Sequence, residues 1–186
     1  AKLGVATVGL MAMQKAIRGT ISVGMKFEQA MANVKAISGA TGAEFKQLEA
    51  TAKALGASTK FTASEVAGLQ TEFAKLGFTT KEIIGAQKAT LSLAAATGTE
   101  LPRAAEVAGA TLRGFGIDAK DTSRVTDVMA LLFSKSALDM EKFAESMKFV
   151  APIAKSAGFS IEGTTAMIAQ LANVGIHGSL AGTALK

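Results

Sequence analysis

A glycine followed by an apolar residue and then a helix-capping residue recurs along the chain. The pattern reads Gly77-Phe78-Thr79, Gly116-Ile117-Asp118 and Gly158-Phe159-Ser160. Glycine adopts the left-handed conformation that ends a helix, and a Thr, Asp or Ser oxygen accepts a hydrogen bond from a free N–H of the next helix. Each triplet therefore predicts one helix ending and another beginning at once, with the apolar side chain folded back and buried.

Other positions carry parts of the same signal. Gly175 is followed by an apolar residue but lacks a good cap, and two Thr/Glu pairs have the three-residue spacing of a capping box. The predicted structural turns are Gly77, Gly116, Gly158 and Gly175, and the predicted helix-capping residues are Thr62, Glu65, Thr79, Glu82, Asp118 and Ser160.

Between these turns, apolar residues recur every three or four positions, as Val66, Leu69, Phe73 and Leu76 do. No convincing alternating strand pattern is present. The sequence therefore predicts an all-α fold, a compact array of about eight short helices joined by glycine and capping-residue turns, with a helical N-terminal arm. The turn glycines at 77, 116 and 158 also suggest helix-pair repeats. The predicted helices are 5–38, 43–56, 63–76, 80–97, 100–115, 119–136, 140–157, 161–174 and 178 onward.

The charge is unevenly distributed. The chain has a formal net charge of +5, and residues 1–26 carry Lys2, Lys15, Arg18 and Lys26 but no acidic residue. We interpret 1–26 as a cationic amphipathic helical arm leading in from a longer chain, and 27–186 as a nearly neutral helical domain. We expect the arm to project from the domain or to contact another chain.

Little in the composition supports catalysis. The chain has no cysteine and a single histidine, which excludes disulfides, thiolate metal sites and histidine pairs. Glu141 and Glu145 lie one turn apart, and His177 lies near Ser179, but acids at helix starts complement the helix dipole and no nucleophile turn is present. We predict no catalytic, cofactor or metal site, and the dispersed basic residues predict no specific nucleic-acid binding.

Several further stretches have a distinctive order. They include FEQAMANV at 27–34, STKFTASEVA at 58–67, LSLAAATG at 91–98 and LANVGIHGSLAGTAL at 171–185. The last is the most specific, because it combines Gly, Ala and Ser at fixed offsets without periodic repetition. On these residues, 27–186 resembles the helical core domain of phage tail tape measure proteins.

The resemblance implies a non-enzymatic virion protein. Such a protein is made in the bacterial cytoplasm, lies in the tail tube lumen near the tip, sets tail length together with flanking sequence, and leaves ahead of the DNA. The implied partners are further copies of itself, with three as the expected number, the tail tube, the tail tip or baseplate hub, tail assembly chaperones and, on ejection, the host membrane.

The frequent helix breaks qualify this resemblance. A ruler segment should be an unbroken helix, which gains about 1.5 Å per residue. We therefore interpret the chain as a compact module at one end of the longer protein. The alternative is a membrane-penetrating or pore-forming helical protein, suggested by the cationic arm with its clustered methionines.

Overall fold

The computed structural model describes residues 21–185, and every regular element in that range is helical. The predicted all-α class is therefore confirmed. A 3₁₀ turn at Ala119–Asp121 precedes the sixth α-helix. The α-helices are α1 (21–38 within the described range), α2 (Gly42–Ser58), α3 (Ala63–Lys75), α4 (Thr80–Thr97), α5 (Leu101–Phe115), α6 (Thr122–Lys135), α7 (Met140–Ser156), α8 (Ile161–Asn173) and α9 (Ser179–Ala184).

Helices two positions apart in sequence pack side by side. In one row α3 contacts α5, α5 contacts α7, and α7 contacts α9; in the other, α4 contacts α6 and α6 contacts α8. At the N-terminal end, α2 packs on both α3 and α4. The helices thus form two rows, and one helix of each row lies between successive turn glycines. Each such pair of helices packs against the pairs before and after it, as in a helical repeat array.

One hydrophobic core runs through the whole array. Its fully buried side chains include Phe73 on α3, Ile83 on α4, Leu112 on α5, Met129 on α6 and Phe143 on α7. Burying a side chain of this size stabilises the fold by about 1.5–3 kcal/mol relative to exposure.

Two helical glycines allow α5 to approach its neighbours closely. A Cβ at Gly109 would lie 2.6 Å from Leu76 Cδ1, and a Cβ at Gly114 would lie 2.9 Å from the Cβ of Ala151. A larger residue at Gly114 would push α5 away from α7, because the Cβ of Ala151 moves only with its helix, whereas at Gly109 the Leu76 side chain would have to shift.

A buried polar cluster joins α2, α3 and α4. Gln70 is fully buried and its Nε2 donates to Leu48 O at 2.9 Å and to Gln87 Oε1 at 3.2 Å. The Oε1 of Gln70 is buried without a hydrogen-bond partner. An unpaired buried acceptor costs about 1–3 kcal/mol, which offsets part of what the two donated hydrogen bonds contribute to joining these helices.

The described part of α1 changes character along its length. Residues 21–26 are all exposed, whereas Met31 and Val34 are buried and Phe27 packs partly against the core. The predicted arm at 1–26 therefore enters the described range as an exposed helix. Its first twenty residues lie outside the described range.

Candidate functional site

The four predicted turn glycines all have positive φ. The values are 74° for Gly77, 65° for Gly116, 77° for Gly158 and 86° for Gly175. In each turn the following residue donates its N–H to the carbonyl five positions earlier, as Phe78 does to Phe73 O at 3.1 Å. The glycine itself donates its N–H to the carbonyl three positions earlier, as Gly77 does to Ala74 O at 3.0 Å. These two hydrogen bonds satisfy the last carbonyls of the preceding helix.

The apolar residue after each glycine is not always buried. Phe78 is buried with its ring centroid 5.0 Å from that of Phe73, and Ile117 packs partly against the core. Phe159 is 54% exposed, so its predicted burial is wrong. In this type of turn, the apolar side chain packs on the residue whose carbonyl accepts its N–H. For Phe159 that residue is Ala154, whose methyl group offers little apolar surface for the ring to cover.

Two of the capping positions form complete capping boxes. Thr62 Oγ1 accepts from the N–H of Glu65 at 3.2 Å, and Glu65 Oε2 accepts from the N–H of Thr62 at 2.7 Å. Thr79 and Glu82 repeat this exchange at the start of α4. These contacts satisfy N–H groups that the first turn would otherwise leave free.

The other two caps differ from each other. Ser160 Oγ accepts from the N–H of Gly163 at 3.2 Å and caps α8. Asp118 caps the 3₁₀ turn through the N–H of Lys120, so the predicted helix start at 119 is wrong. The α-helix begins three residues later, at Thr122.

An arginine on α5 binds the turn between α3 and α4. Arg113 donates to Gly77 O at 2.9 Å, stacks 3.9 Å above the ring of Phe78, and lies 3.5 Å from a carboxylate oxygen of Glu82. Together with the Thr79 contacts, Arg113 holds the pKa of Glu82 below its usual value. No local pattern identifies Arg113, because its targets lie about 36 residues away.

In each row, one ion pair connects two neighbouring helices. Arg103 on α5 binds the Glu141 carboxylate on α7 with two nitrogens, one at 2.8 Å, and Arg124 on α6 binds Glu162 on α8 at 2.6 and 2.8 Å. In both cases the partners are 38 residues apart, which is one helix-pair repeat. No local pattern in the sequence identifies either pair, because the partners lie on different helices.

The acidic and histidine residues considered for acid–base chemistry have the following surroundings. Hydrogen bonding to Arg103 lowers the pKa of Glu141, which opposes any role as a general acid. His177 and Ser179 are both exposed, and no hydrogen bond joins their side chains. Within residues 21–185, no group of three or more His, Cys, Asp or Glu side chains is placed to hold a metal ion.

Exposed apolar side chains are concentrated at the two ends of the array. At the N-terminal end they lie on α1, and at the C-terminal end they lie on α7 and the α8–α9 segment. Between the ends, a groove of about 280 Å³ separates α6 from α8, with Leu131 in its lining. The terminal groups are Ile21, Val23, Met25 and Ile37 at one end, and Phe149, Val174, Ile176 and Leu180 at the other, and Phe159 is exposed in the turn between α7 and α8.

No helix in the described range is long and apolar enough to cross a membrane. The features that remain are exposed apolar side chains on a helical array, which are suited to protein contacts.

Comparisons with known proteins identify relatives. Residues 49–186 match the family described as phage-related minor tail protein. A tape measure protein of Pneumococcus phage Dp-1 is 40% identical over 167 residues, which is 90% of this chain and 14% of the relative. A probable tape measure protein of Escherichia phage P2 is 31% identical over 185 residues, 98% of this chain and 22% of the relative. No solved structure matches the chain.

Proposed function

Because this chain belongs to the phage-related minor tail protein family and is therefore a component of a phage tail, we propose that it forms a compact docking module of a tape measure protein. The names of both relatives support this proposal. The chain spans only 14% and 22% of their lengths, so most of a protein of that kind would lie outside this module.

The observation that carries the proposal is the folded length of the helices. The longest helix with both ends inside the described range, α4, has 18 residues and spans about 27 Å. The described residues drawn out as one helix would span about 250 Å. Because the chain folds back on itself at each glycine turn, it contributes little axial length for its number of residues. The part of the protein that sets tail length therefore lies in the flanking sequence.

The exposed apolar side chains at the two ends of the array are the surfaces that we propose for docking. Their partners are the tail tube and the tail tip or baseplate hub, with assembly chaperones covering them beforehand. The module stays in the tube lumen near the tip in several copies, leaves ahead of the DNA, and acts without catalytic turnover. The described helices offer no specific observation in favour of the membrane-penetrating alternative.

Matched deletions in the full-length tail protein test this function. We expect deletion of 42–184 to reduce the number of complete tails without shortening those that form. An equally long deletion in a continuous helical region elsewhere should shorten tails by about 200 Å. Electron microscopy measures both tail number and tail length.

A point variant separates loss of the module's fold from loss of chain length. Leu112→Asp places a charge in the core, where Leu112 is fully buried, whereas Leu131→Asp changes an exposed leucine. We expect only the first variant to reduce tail number, with tail length unchanged. Shortening of the tails by the 42–184 deletion in proportion to its length would contradict the proposed docking role.

A further inference from the structure

Two of the turns that end helices are built from the same residue types. Gly77-Phe78-Thr79 follows α3, and Gly158-Phe159-Ser160 follows α7. The φ values of the two glycines are 74° and 77°, and each phenylalanine donates its N–H to the carbonyl five positions earlier. In both turns the hydroxyl of the third residue caps the next helix. Each turn therefore carries a phenylalanine ring next to a glycine carbonyl on the same backbone.

The turn after α3 binds an arginine. The guanidinium of Arg113 on α5 lies 3.9 Å from the centroid of the Phe78 ring and donates to Gly77 O at 2.9 Å. Phe78 is only 5% exposed. A guanidinium suits this pair of groups, because its planar face stacks on a ring while its N–H groups donate to a neighbouring carbonyl.

The turn after α7 has the same groups without an arginine. Phe159 is 54% exposed, although Phe78 in the matching turn is buried. Within residues 21–185, no cation stacks on the Phe159 ring, and Gly158 O accepts no hydrogen bond. The ring and the carbonyl are therefore both available to a side chain from another segment.

The third turn of the same row shows that such turns are covered by the next helix. Gly116 ends α5, and a Cβ placed on it would lie 2.5 Å from Nζ of Lys155 on α7. The residue after this glycine is Ile117, which has no aromatic face for a guanidinium to stack on. The turns after α3 and α5 are thus each covered by a basic side chain of the next helix in the row.

The next helix of the row after α7 is α9, and the two run in the same direction. A Cβ on Gly178 would lie 2.6 Å from Glu145 Oε2, and a Cβ on Gly182 would lie 2.9 Å from the Cβ of Phe149. In both contacts the residue of α9 comes 33 positions after its partner on α7. The path of α9 along α7 therefore leads toward the turn that ends α7.

The spacing of these contacts gives the position that reaches the second turn. Arg113 comes 36 residues after Gly77, close to the separation of 33 between α7 and α9. A residue 33–36 positions after Gly158, on a helix that follows the path of α9, therefore lies over Phe159. That interval is about five to eight residues after Lys186.

We propose that the Gly158–Phe159 turn binds the guanidinium of an arginine in this interval, on a helix that extends α9 along α7. The arginine stacks on Phe159 and donates to Gly158 O, as Arg113 does in the turn after α3. This contact fastens the flanking chain to the module and sets the direction in which that chain leaves it. It rests on the proposed function only in that the module is part of a longer tail protein, and not on docking.

The sequence of the full-length tail protein supplies the first test. We expect an arginine five to eight residues after Lys186, because only a guanidinium can stack on the ring and donate to the carbonyl at once. An interval that contains no arginine would overturn the proposal.

Tryptophan fluorescence of the full-length protein is the second test, since residues 1–186 contain no tryptophan. With Phe159→Trp, we expect acrylamide to quench the new tryptophan at least twofold more strongly once the arginine is replaced by alanine. The signal of the native protein is subtracted as background. Leu131→Trp is the matched control, because Leu131 is 61% exposed and lies on α6, where the arginine should have no effect.

The remaining outcomes separate this site from the proposed docking role. Strong quenching at position 159 with the arginine present would overturn the site. Weak quenching that does not change when the arginine is replaced would overturn it as well, because another group then covers the ring. Failure of the docking role would instead appear in tail number and length, with quenching at position 159 still sensitive to the arginine.

Discussion

Glycine has opposite effects on stability at two positions, because the backbone conformation differs. Gly116 has a φ of 65°, where side chains with a Cβ are disfavoured. Gly85 lies inside α4, and nothing is within 4 Å of a Cβ placed there. At Gly85, glycine only adds conformational freedom to the unfolded chain, which opposes helix formation.

Alanine substitutions at these glycines should therefore shift stability in opposite directions. We expect Gly116→Ala to lower the free energy of unfolding by about 1 kcal/mol, and Gly116→Val to lower it further. Gly85→Ala should raise it by about 0.5–1 kcal/mol. Urea unfolding measures all three, and a stabilising effect of Gly116→Ala would show that the turn does not need its left-handed conformation.

Arg113 makes a set of contacts that lysine cannot reproduce. It stacks on Phe78 while donating to the carbonyl of Gly77. A planar guanidinium can do both at once, whereas an ammonium is a compact point charge. Arg113, which lies on another helix, thus stabilises the α3–α4 turn in addition to the capping box within the turn.

We expect Arg113→Ala to lower the free energy of unfolding by about 1–2 kcal/mol, with Arg113→Lys recovering less than half of that loss. Lys120→Ala is the control, since Lys120 is largely exposed and its nitrogen lies 3.8 Å from Asp118. Thermal unfolding monitored by circular dichroism measures the series. Equal stability of the lysine variant and the native protein would show that charge alone accounts for the role of Arg113.

At the scale of helices, ion pairs align neighbours within a row. Hydrogen bonding to Arg124 lowers the pKa of Glu162 from 4.5 to about 2. Since the folded pKa lies below the unfolded value, this pair stabilises the fold above about pH 4.5, and its contribution is lost as the pH falls toward 2. Both side chains are about half exposed, so solvent screening limits the contribution to under about 1 kcal/mol.

We expect Glu162→Gln to lower stability slightly at pH 7 and to reduce the loss of stability between pH 4.5 and pH 2. Glu49→Gln is the matched control, because Glu49 pairs with Lys53 inside a single helix. Unfolding midpoints across this pH range measure the difference. Identical pH profiles for Glu162→Gln and the native protein would show that the α6–α8 pair does not contribute to stability.

Helix ends were predictable from the sequence because their signals are local. A turn such as Gly77-Phe78-Thr79 contains its own stop and start residues within three positions. The contacts of Arg103 and Arg113 were not predictable, because their partners are 36 to 38 residues away and lie on other helices. The exposure of Phe159 has a local cause that the triplet alone does not contain: the residue five positions earlier is Ala154, whereas the equivalent residue for Phe78 is Phe73.

Over residues 21–185, the molecule is an array in which helices two positions apart in sequence pack side by side. α5 lies at its centre, with α3 on one side and α7 on the other. α9 has only six residues and packs on α7 and α8, and α2 is attached across the buried Gln70 cluster with its unpaired oxygen. Arrays with nearest-neighbour stabilisation open from their ends, because an end unit loses fewer contacts.

Native-state hydrogen exchange should therefore show graded protection along the chain. We expect the slowest exchange in α5, intermediate rates in α4 and α6, and the fastest in α2 and α9, with the extremes differing by at least a hundredfold. Gln70→Leu removes the hydrogen bonds that Gln70 donates to Leu48 O and Gln87 Oε1 and leaves the buried Gln87 Oε1 without that donor, so it should speed exchange in α2 but not in α9. Mass spectrometry of peptides from each helix measures these rates. Uniform exchange in all helices would show that the array unfolds as one cooperative unit, and that its ends are supported as strongly as its centre.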